Sequence, residues 1–98
     1  MTKHREYEFA QAVEHYLFDA GGQASIGQIR RNLPHYIQLT AEDRRPSLTR
    51  PGEEMWEQLV RNIVSHRYVM GNAVNTGKLK YVPRHLALTN GPQGNLFH

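Results

Sequence analysis

The sequence predicts a small α+β domain that is mainly α-helical, with three helices followed by a C-terminal β-hairpin. Its 98 residues are enough for a single modest hydrophobic core. Apolar residues recur at helical spacing between Gly52 and Arg67, and the pattern after that segment changes to the alternation typical of strands. We therefore expect one domain over residues 1–92 and a flexible tail over residues 93–98.

The composition excludes several classes of protein. There is no cysteine, and hence no disulfide framework and no thiolate metal site. No apolar run approaches the roughly 18 residues of a membrane span, and the N-terminus lacks a signal peptide's apolar core. We expect a soluble, cytoplasmic protein without a membrane partner. Residues 1–57 hold seven basic and nine acidic residues, a net charge of −2, whereas residues 58–98 hold five basic residues and no acid. A positive C-terminal half suits a polyanionic partner.

The first helix is predicted from Glu6 to Asp19, and Gly21-Gly22 should end it. Apolar residues at spacings of four place one face of this helix in the core, at Phe9, Val13 and Leu17. Tyr7 and Phe18 lie roughly opposite that face. These two aromatics could cover part of the C-terminal tail or form a contact patch for a partner.

A second, short helix should begin at a capping box formed by Ser25 and Gln28. It buries three apolar residues and ends before Pro34, because proline disfavours helix in the residue that precedes it. From Pro34 to Arg50 the chain is less regular, and the run from Thr40 to Asp43 could cap one turn.

The third helix, from Gly52 to Arg67, is the strongest prediction, with Pro51 suited to its first turn. Its apolar stripe consists of Met55, Trp56, Leu59, Val60, Ile63 and Val64. The opposite face is polar and is centred on Glu54, Gln58, Arg61 and Ser65. Such a face can enter a DNA groove, and it can equally be an ordinary solvated helix surface.

After Arg67 the pattern becomes extended. Tyr68-Val69-Met70 could be a short strand, and the stretches Leu79–Val82 and Leu86–Thr89 are predicted to pair as a hairpin with a basic tip at Pro83-Arg84-His85. Three helices followed by a β-hairpin wing is the order of a winged helix-turn-helix domain. In that fold the third helix is the expected recognition helix.

Four sequence motifs between Leu39 and Pro92 also point to a family. They are LT-x-E-D, TRPGEEMWEQLVRNIVSHR, GN and YVPRHLALTNGP. This run resembles the winged-helix domains that accompany nuclease domains in Mrr-like and HNH-type restriction enzymes of bacteria and archaea. The resemblance implies binding of double-stranded DNA, including methylated DNA, as the targeting module of a larger enzyme with a nuclease domain as partner. This chain is too short to contain that nuclease as well.

In the winged-helix interpretation, one set of residues holds the DNA backbone and another reads the bases. The expected backbone contacts are Arg44, Arg45, Ser47, Thr49, Arg50, Lys78, Lys80 and Arg84. The expected base-reading residues are Gln58, Arg61, Asn62 and Ser65. The alternative is ordinary surface charge. Glu54 and Glu57 oppose the DNA interpretation, because carboxylates at the start of the recognition helix repel phosphate, unless they serve only the helix dipole or the wing carries more of the binding.

No residue pattern indicates catalysis, a metal or a cofactor. The six histidines are not spaced as metal ligands, and no glycine-rich phosphate loop or nuclease signature occurs. We therefore expect a DNA-binding protein that is not an enzyme, either a stand-alone regulator or the targeting domain of a nuclease. The main alternative is an interaction module that forms a homodimer or docks a partner through Tyr7 and Phe18. A third option, a small anti-restriction or toxin-type binder, has no specific sequence support.

Overall fold

The computed structural model describes the chain from Thr2 to Thr89, with side chains from Arg5 onward. The helices are α1 (Thr2–Asp19), α2 (Ile26–Asn32) and α3 (Met55–Ser65), and a 3-10 turn (Leu33–His35) follows α2. The strands are β1 (Gln23–Ser25), β2 (Leu79–Val82) and β3 (His85–Leu88). The predicted α+β class, with three helices and a C-terminal hairpin, is confirmed. The proposed tail over residues 93–98 and the domain end at residue 92 lie outside the described residues.

The three strands form one antiparallel sheet in the order β1-β3-β2. β1 was not predicted, and it pairs Ser25 with His85 next to the hairpin turn. The expected strand at Tyr68-Val69-Met70 is wrong, because this segment consists of consecutive turns. The Asn72 side chain holds those turns in place. Its amide donates to the Ile63 carbonyl at 3.0 Å, and its side-chain oxygen accepts from the Val74 amide at 2.7 Å.

The hydrophobic core lies between α1, α3 and the sheet. Its fully buried members include Phe9, Val13, Leu17, Ile29, Leu33, Leu59, Val60, Ile63, Leu79 and Leu86. The predicted inward faces of the three helices are thus confirmed. Burying one side chain of this size contributes about 1.5–3 kcal/mol, so the amphipathic helices are stabilised mainly by packing. Tyr7 and Phe18 are 54% and 61% exposed, as the helical spacing predicted.

The start of α2 is joined to the hairpin. The predicted capping box is present, with the Gln28 amide donating to Ser25 Oγ at 3.1 Å and the Ser25 amide donating to Gln28 Oε1 at 3.0 Å. The next amide, that of Ile26, donates to the carbonyl of Arg84 at 2.8 Å. The hairpin tip therefore lies against the first turn of α2.

A buried ion pair connects α1 to the segment before α3. Asp43 is only 2% exposed and accepts from Arg5 Nε at 3.1 Å and from Arg5 Nη2 at 2.7 Å. The predicted turn at Thr40 is also present, since the Asp43 amide donates to Thr40 Oγ1 at 3.1 Å. The Asp43 carbonyl then accepts from the Trp56 amide at 2.9 Å, inside the first turn of α3.

The third helix starts three residues later than predicted. Gly52 has a φ of 78°, which glycine adopts at little cost, and the Glu53 amide donates to the Arg50 carbonyl at 3.4 Å. Pro51 and Gly52 therefore form a β-turn, and the expectation that Pro51 occupies the first helical turn is wrong. Glu54 is the N-cap residue, and its amide donates to Glu57 Oε1 at 2.9 Å.

Candidate nucleic-acid interface

A closed loop precedes α3 and packs against it. The Ser47 amide donates to the Glu53 carbonyl at 2.8 Å, and Pro46 and Glu54 form an isolated antiparallel bridge. The Met55 amide, at the start of the helix, donates back to the Arg45 carbonyl at 2.7 Å. These bonds bring the two ends of the loop together. We call residues 46–53 the α3 loop.

Two of the predicted base-reading side chains hold this loop. Gln58 Oε1 accepts from Ser47 Oγ at 2.7 Å and from the Leu48 amide at 2.9 Å. Arg61 Nη2 donates to Thr49 Oγ1 at 2.7 Å. The structure thus brings together four predicted site residues, but it joins them to one another through hydrogen bonds within the protein.

Arg61 also forms a bidentate ion pair with Glu53. Its Nε lies 2.9 Å from Glu53 Oε2 and its Nη2 lies 2.8 Å from Glu53 Oε1. The Glu53 side chain is 7% exposed, so few waters compete for this contact. The hydrogen bonds from Arg61 outweigh the cost of burial and hold the pKa of Glu53 below its ordinary value. Glu53 in turn raises the pKa of Arg61, so both groups are charged at neutral pH.

The remaining predicted residues near α3 are mostly exposed. Arg44 pairs with Glu54 at 3.3 Å and Arg45 pairs with Glu42 at 2.8 Å. Exposed pairs of this kind are typically worth about 0–1 kcal/mol, so these two pairs add little to the stability of the fold, although they place a carboxylate beside each arginine. One further predicted base reader has an internal role, since Ser65 Oγ donates to the Arg61 carbonyl at 2.9 Å, whereas Asn62 is half-buried on α3.

The hairpin presents cations at three separate places. Lys80 lies on the exposed side of β2, and Arg84 occupies the two-residue turn with a φ of 67°. Lys78 instead lies against α1, with its ammonium nitrogen 5.8 Å from the centre of the Tyr7 ring. Arg84 therefore lies at the hairpin tip next to α2, Lys80 lies on the exposed face of the edge strand β2, and Lys78 belongs to the surface next to α1.

Sequence reasoning missed one cation near the hairpin tip. A Cβ built on Gly27 would lie 3.6 Å from Arg31 Nη1, so this guanidinium folds back over the first turn of α2. That turn is also where the Ile26 amide bonds to Arg84. The basic pair Arg30-Arg31 was visible in the sequence, but only the pairing of β1 with β3 brings it to the hairpin. We call Arg31, Lys80 and Arg84 the α2–hairpin surface.

The cations of the α2–hairpin surface differ electrostatically from Arg44, Arg45 and Arg61, which lie near α3. Among residues 5–89, no carboxylate lies within 4.0 Å of Arg31, Lys80 or Arg84. The acids lie on α1 and between residues 42 and 57, where they pair with Arg5, Arg44, Arg45 and Arg61. The positive charge of the α2–hairpin surface is thus not neutralised by ion pairs within this part of the chain.

An apolar groove of about 470 Å³ lies between α1 and the turns that follow α3. Tyr7 lines it on the α1 side, and Val69 and Met70 line it on the other side, with Met70 93% exposed. Glu6 Oε1 lies 3.4 Å from His66 Nδ1, and this contact joins the two sides. Phe18 is exposed but does not line this groove.

Over the part of the chain that the structure describes, no three histidine, aspartate or glutamate side chains are arranged to hold a metal ion. No helix there is long and apolar enough to cross a membrane. No protein-family model matches the chain, and no match is found among curated proteins or among solved structures.

Proposed function

We propose that this chain is a winged-helix domain that binds double-stranded DNA through the α2–hairpin surface. Two features support the fold assignment. The element order α1-β1-α2-α3-β2-β3 places a strand between the first two helices, and the hairpin pairs with that strand in the order β1-β3-β2. This is the arrangement expected of a helix-turn-helix core with one β-wing.

The observation that carries the functional proposal is the unneutralised positive charge of the α2–hairpin surface. Guanidinium and ammonium groups are the usual partners of backbone phosphates, which supply most of the sequence-independent affinity for DNA. The backbone bond from Ile26 to Arg84, at 2.8 Å, fixes the hairpin tip against α2. Arg31 and Arg84 are therefore held at the same end of α2, as contacts that set the position of a protein on a duplex require.

The domain performs no chemistry in this proposal. It acts as a stand-alone DNA-binding regulator or as the targeting domain of a restriction-type nuclease, the role that the resemblance implies. In such an enzyme, the cleavage of DNA would be carried out by a separate nuclease domain. Methylated DNA is one of the duplex types to be compared with unmodified DNA.

The test is a DNA-binding titration over a range of salt concentrations. If the three cations of the α2–hairpin surface each contact a phosphate, log K should fall against log salt with a slope of roughly −2.7. Arg84→Ala should weaken binding to all sequences and make the slope shallower by about one unit. Arg45→Ala is the matched control, because Arg45 is exposed but already paired with Glu42, and it should change the slope less.

Two outcomes would contradict this proposal. A slope near zero, or no binding at low salt, would remove the DNA-binding function. An equal change of slope in Arg45→Ala and Arg84→Ala would show that the contact surface is not the one proposed.

The second candidate function is protein interaction through α1. The exposure of Tyr7 and Phe18 on the polar side of α1, together with the apolar groove that Tyr7 lines with Val69 and Met70, supports it. The partner in this candidate is a second copy of the chain.

A further inference from the structure

The structure also bears on how such a domain would read sequence. Resting on the proposed DNA-binding function, we infer that the α3 loop, and not the outward face of α3, contacts the base edges in the major groove. The reading side chains are Leu48 and Arg50. Gln58 and Arg61 are then positioning residues, which act on DNA only through the loop that they hold.

The α3 loop lies against the outward face of α3. Gln58 and Arg61 project from the side of α3 opposite its buried stripe, which is the side that would face a groove. Both side chains end on the α3 loop, Gln58 at Ser47 and Leu48 and Arg61 at Thr49 and Glu53. A duplex that approaches this side of the helix therefore meets the loop first.

Hydrogen bonds within the α3 loop fix its conformation. Ser47 Oγ accepts from the Thr49 amide at 3.1 Å and from the Arg50 amide at 3.3 Å. The Pro51-Gly52 turn closes the loop, with Gly52 at a φ of 78°. A contact element must be held in place by its surroundings if it is to distinguish bases, and these bonds supply that support.

The tip of the α3 loop is exposed to solvent. Leu48 is 82% exposed although its own amide is bonded to Gln58, so its side chain points away from α3. Arg50 is also exposed, and within residues 5–89 it forms no ion pair within 4.0 Å, although its charge acts at longer range on Glu53, which is already paired with Arg61. Arginine donates two hydrogen bonds to N7 and O6 of guanine, and an aliphatic side chain contacts the C5 methyl group of thymine. The tip thus matches a guanine beside a methyl-bearing pyrimidine.

This arrangement also accounts for the acids at the start of α3. Glu57 Oε1 accepts from the Glu54 amide at 2.9 Å, and Glu54 Oε1 accepts from Trp56 Nε1 at 2.9 Å. Both carboxylates therefore stabilise the first turn of the helix. Because the loop makes the base contacts, the N-terminal turn of α3 does not have to enter the groove, and its two carboxylates remain bonded within that turn.

The experiment is a binding-site selection with the full chain and its variants. Arg50→Ala should lose roughly tenfold to a hundredfold discrimination at one guanine, and Leu48→Ala should relax the preference at an adjacent position. Both side chains are exposed, so the urea midpoints should remain at the wild-type value. Arg84→Ala is the control and should lower the affinity for all sequences without changing the preferred one.

A second pair of variants separates positioning from reading at Gln58. Gln58→Glu keeps an acceptor for Ser47 Oγ and the Leu48 amide, so it should retain the wild-type sequence preference even though the added charge lowers affinity. Gln58→Ala removes that acceptor and should alter the preference in the same way as Arg50→Ala. If Gln58 itself read an adenine, Gln58→Glu would lose the preference at that base, and the inference would be wrong.

The two proposals fail in different ways. If the wild-type chain binds DNA with a steep salt dependence but Arg50→Ala and Leu48→Ala select the wild-type sequence, the loop inference is overturned and the proposed function stands. If the wild-type chain does not bind duplex DNA at low salt, the proposed function is overturned and the loop inference with it.

Discussion

Replacing Arg61 with alanine tests directly whether this side chain supports the fold or is free to contact DNA. The substitution removes both hydrogen bonds to Glu53 and the bond to Thr49 Oγ1. It leaves the Glu53 carboxylate largely buried, with 7% of its side chain exposed and no cation in contact with it. The α3 loop then loses one of its two attachments to the helix.

The expected cost follows from the burial of the pair. Removing one partner of a buried ion pair costs about 3–5 kcal/mol, because the other charge is left without compensation. The Arg61 side chain is 25% exposed, so solvent screens part of the interaction, and we expect about 2–3 kcal/mol at pH 7. Detachment of the loop limits the cost, since Glu53 regains water when the loop opens locally.

The penalty should depend on pH in a defined direction. The folded state holds the pKa of Glu53 below its ordinary value, so the stabilisation from this carboxylate is complete above the unfolded pKa of about 4.3. It is lost as the pH falls through the lower, folded pKa. The difference in stability between the wild type and Arg61→Ala should therefore be largest near neutral pH and should shrink below about pH 4.3.

The assay is urea unfolding followed by the fluorescence of Trp56, at pH 7 and at a series of acidic pH values. Arg45→Ala serves as the control, because its pair with Glu42 is exposed on both sides and should contribute less than about 1 kcal/mol. A cost below about 0.5 kcal/mol for Arg61→Ala, without pH dependence, would refute this reasoning. Arg61 would then be available as a base-reading residue.

Two further predictions concern other parts of the molecule. Asp43→Asn should destabilise the fold by about 2–3 kcal/mol in urea unfolding at pH 7, because it removes the buried carboxylate that accepts two bonds from Arg5 and leaves only the more exposed Glu8 beside that guanidinium. Burial opposes the ionisation of Asp43, but the bonds from Arg5 and Thr40 prevail and lower its pKa, so the cost should diminish as the pH falls through that lowered pKa. Replacing both Tyr7 and Phe18 with serine should leave the urea midpoint unchanged and should weaken self-association in analytical ultracentrifugation. An unchanged association constant would eliminate the α1 interaction surface.

Local sequence patterns located the three helices but not all of their ends, since α1 begins at Thr2 and not at Glu6, and α3 begins at Met55 and not at Gly52. The spacing of Phe9, Val13 and Leu17 identified the buried face of α1, and the Ser25–Gln28 capping box marked the start of α2. These signals depend on residues within one or two helical turns of each other, so they can be read without knowledge of the tertiary structure.

The features that were missed depend on partners far away in the chain. β1 has only three residues, and its pairing with β3 joins Ser25 to His85, although many residues separate them in the sequence. The third helix starts late because Pro51 and Gly52 form a turn that closes the α3 loop. The sequence pattern predicts this same segment as the first turn of the helix. The helical spacing put Gln58 and Arg61 correctly on the outward face of α3. It could not show that the preceding loop covers that face.

The buried pair between Arg5 and Asp43 couples the local unfolding of α1 to that of the α3 loop. Arg5 lies in the first turns of α1, and Asp43 binds the first turn of α3 through the bond from the Trp56 amide to its carbonyl, at 2.9 Å. If the first turns of α1 unwound, Asp43 would remain as an uncompensated charge directly before the α3 loop. Local opening at the N-terminal end is therefore coupled to the loop 40 residues later, and the two regions should exchange their amide hydrogens as one cooperative unit.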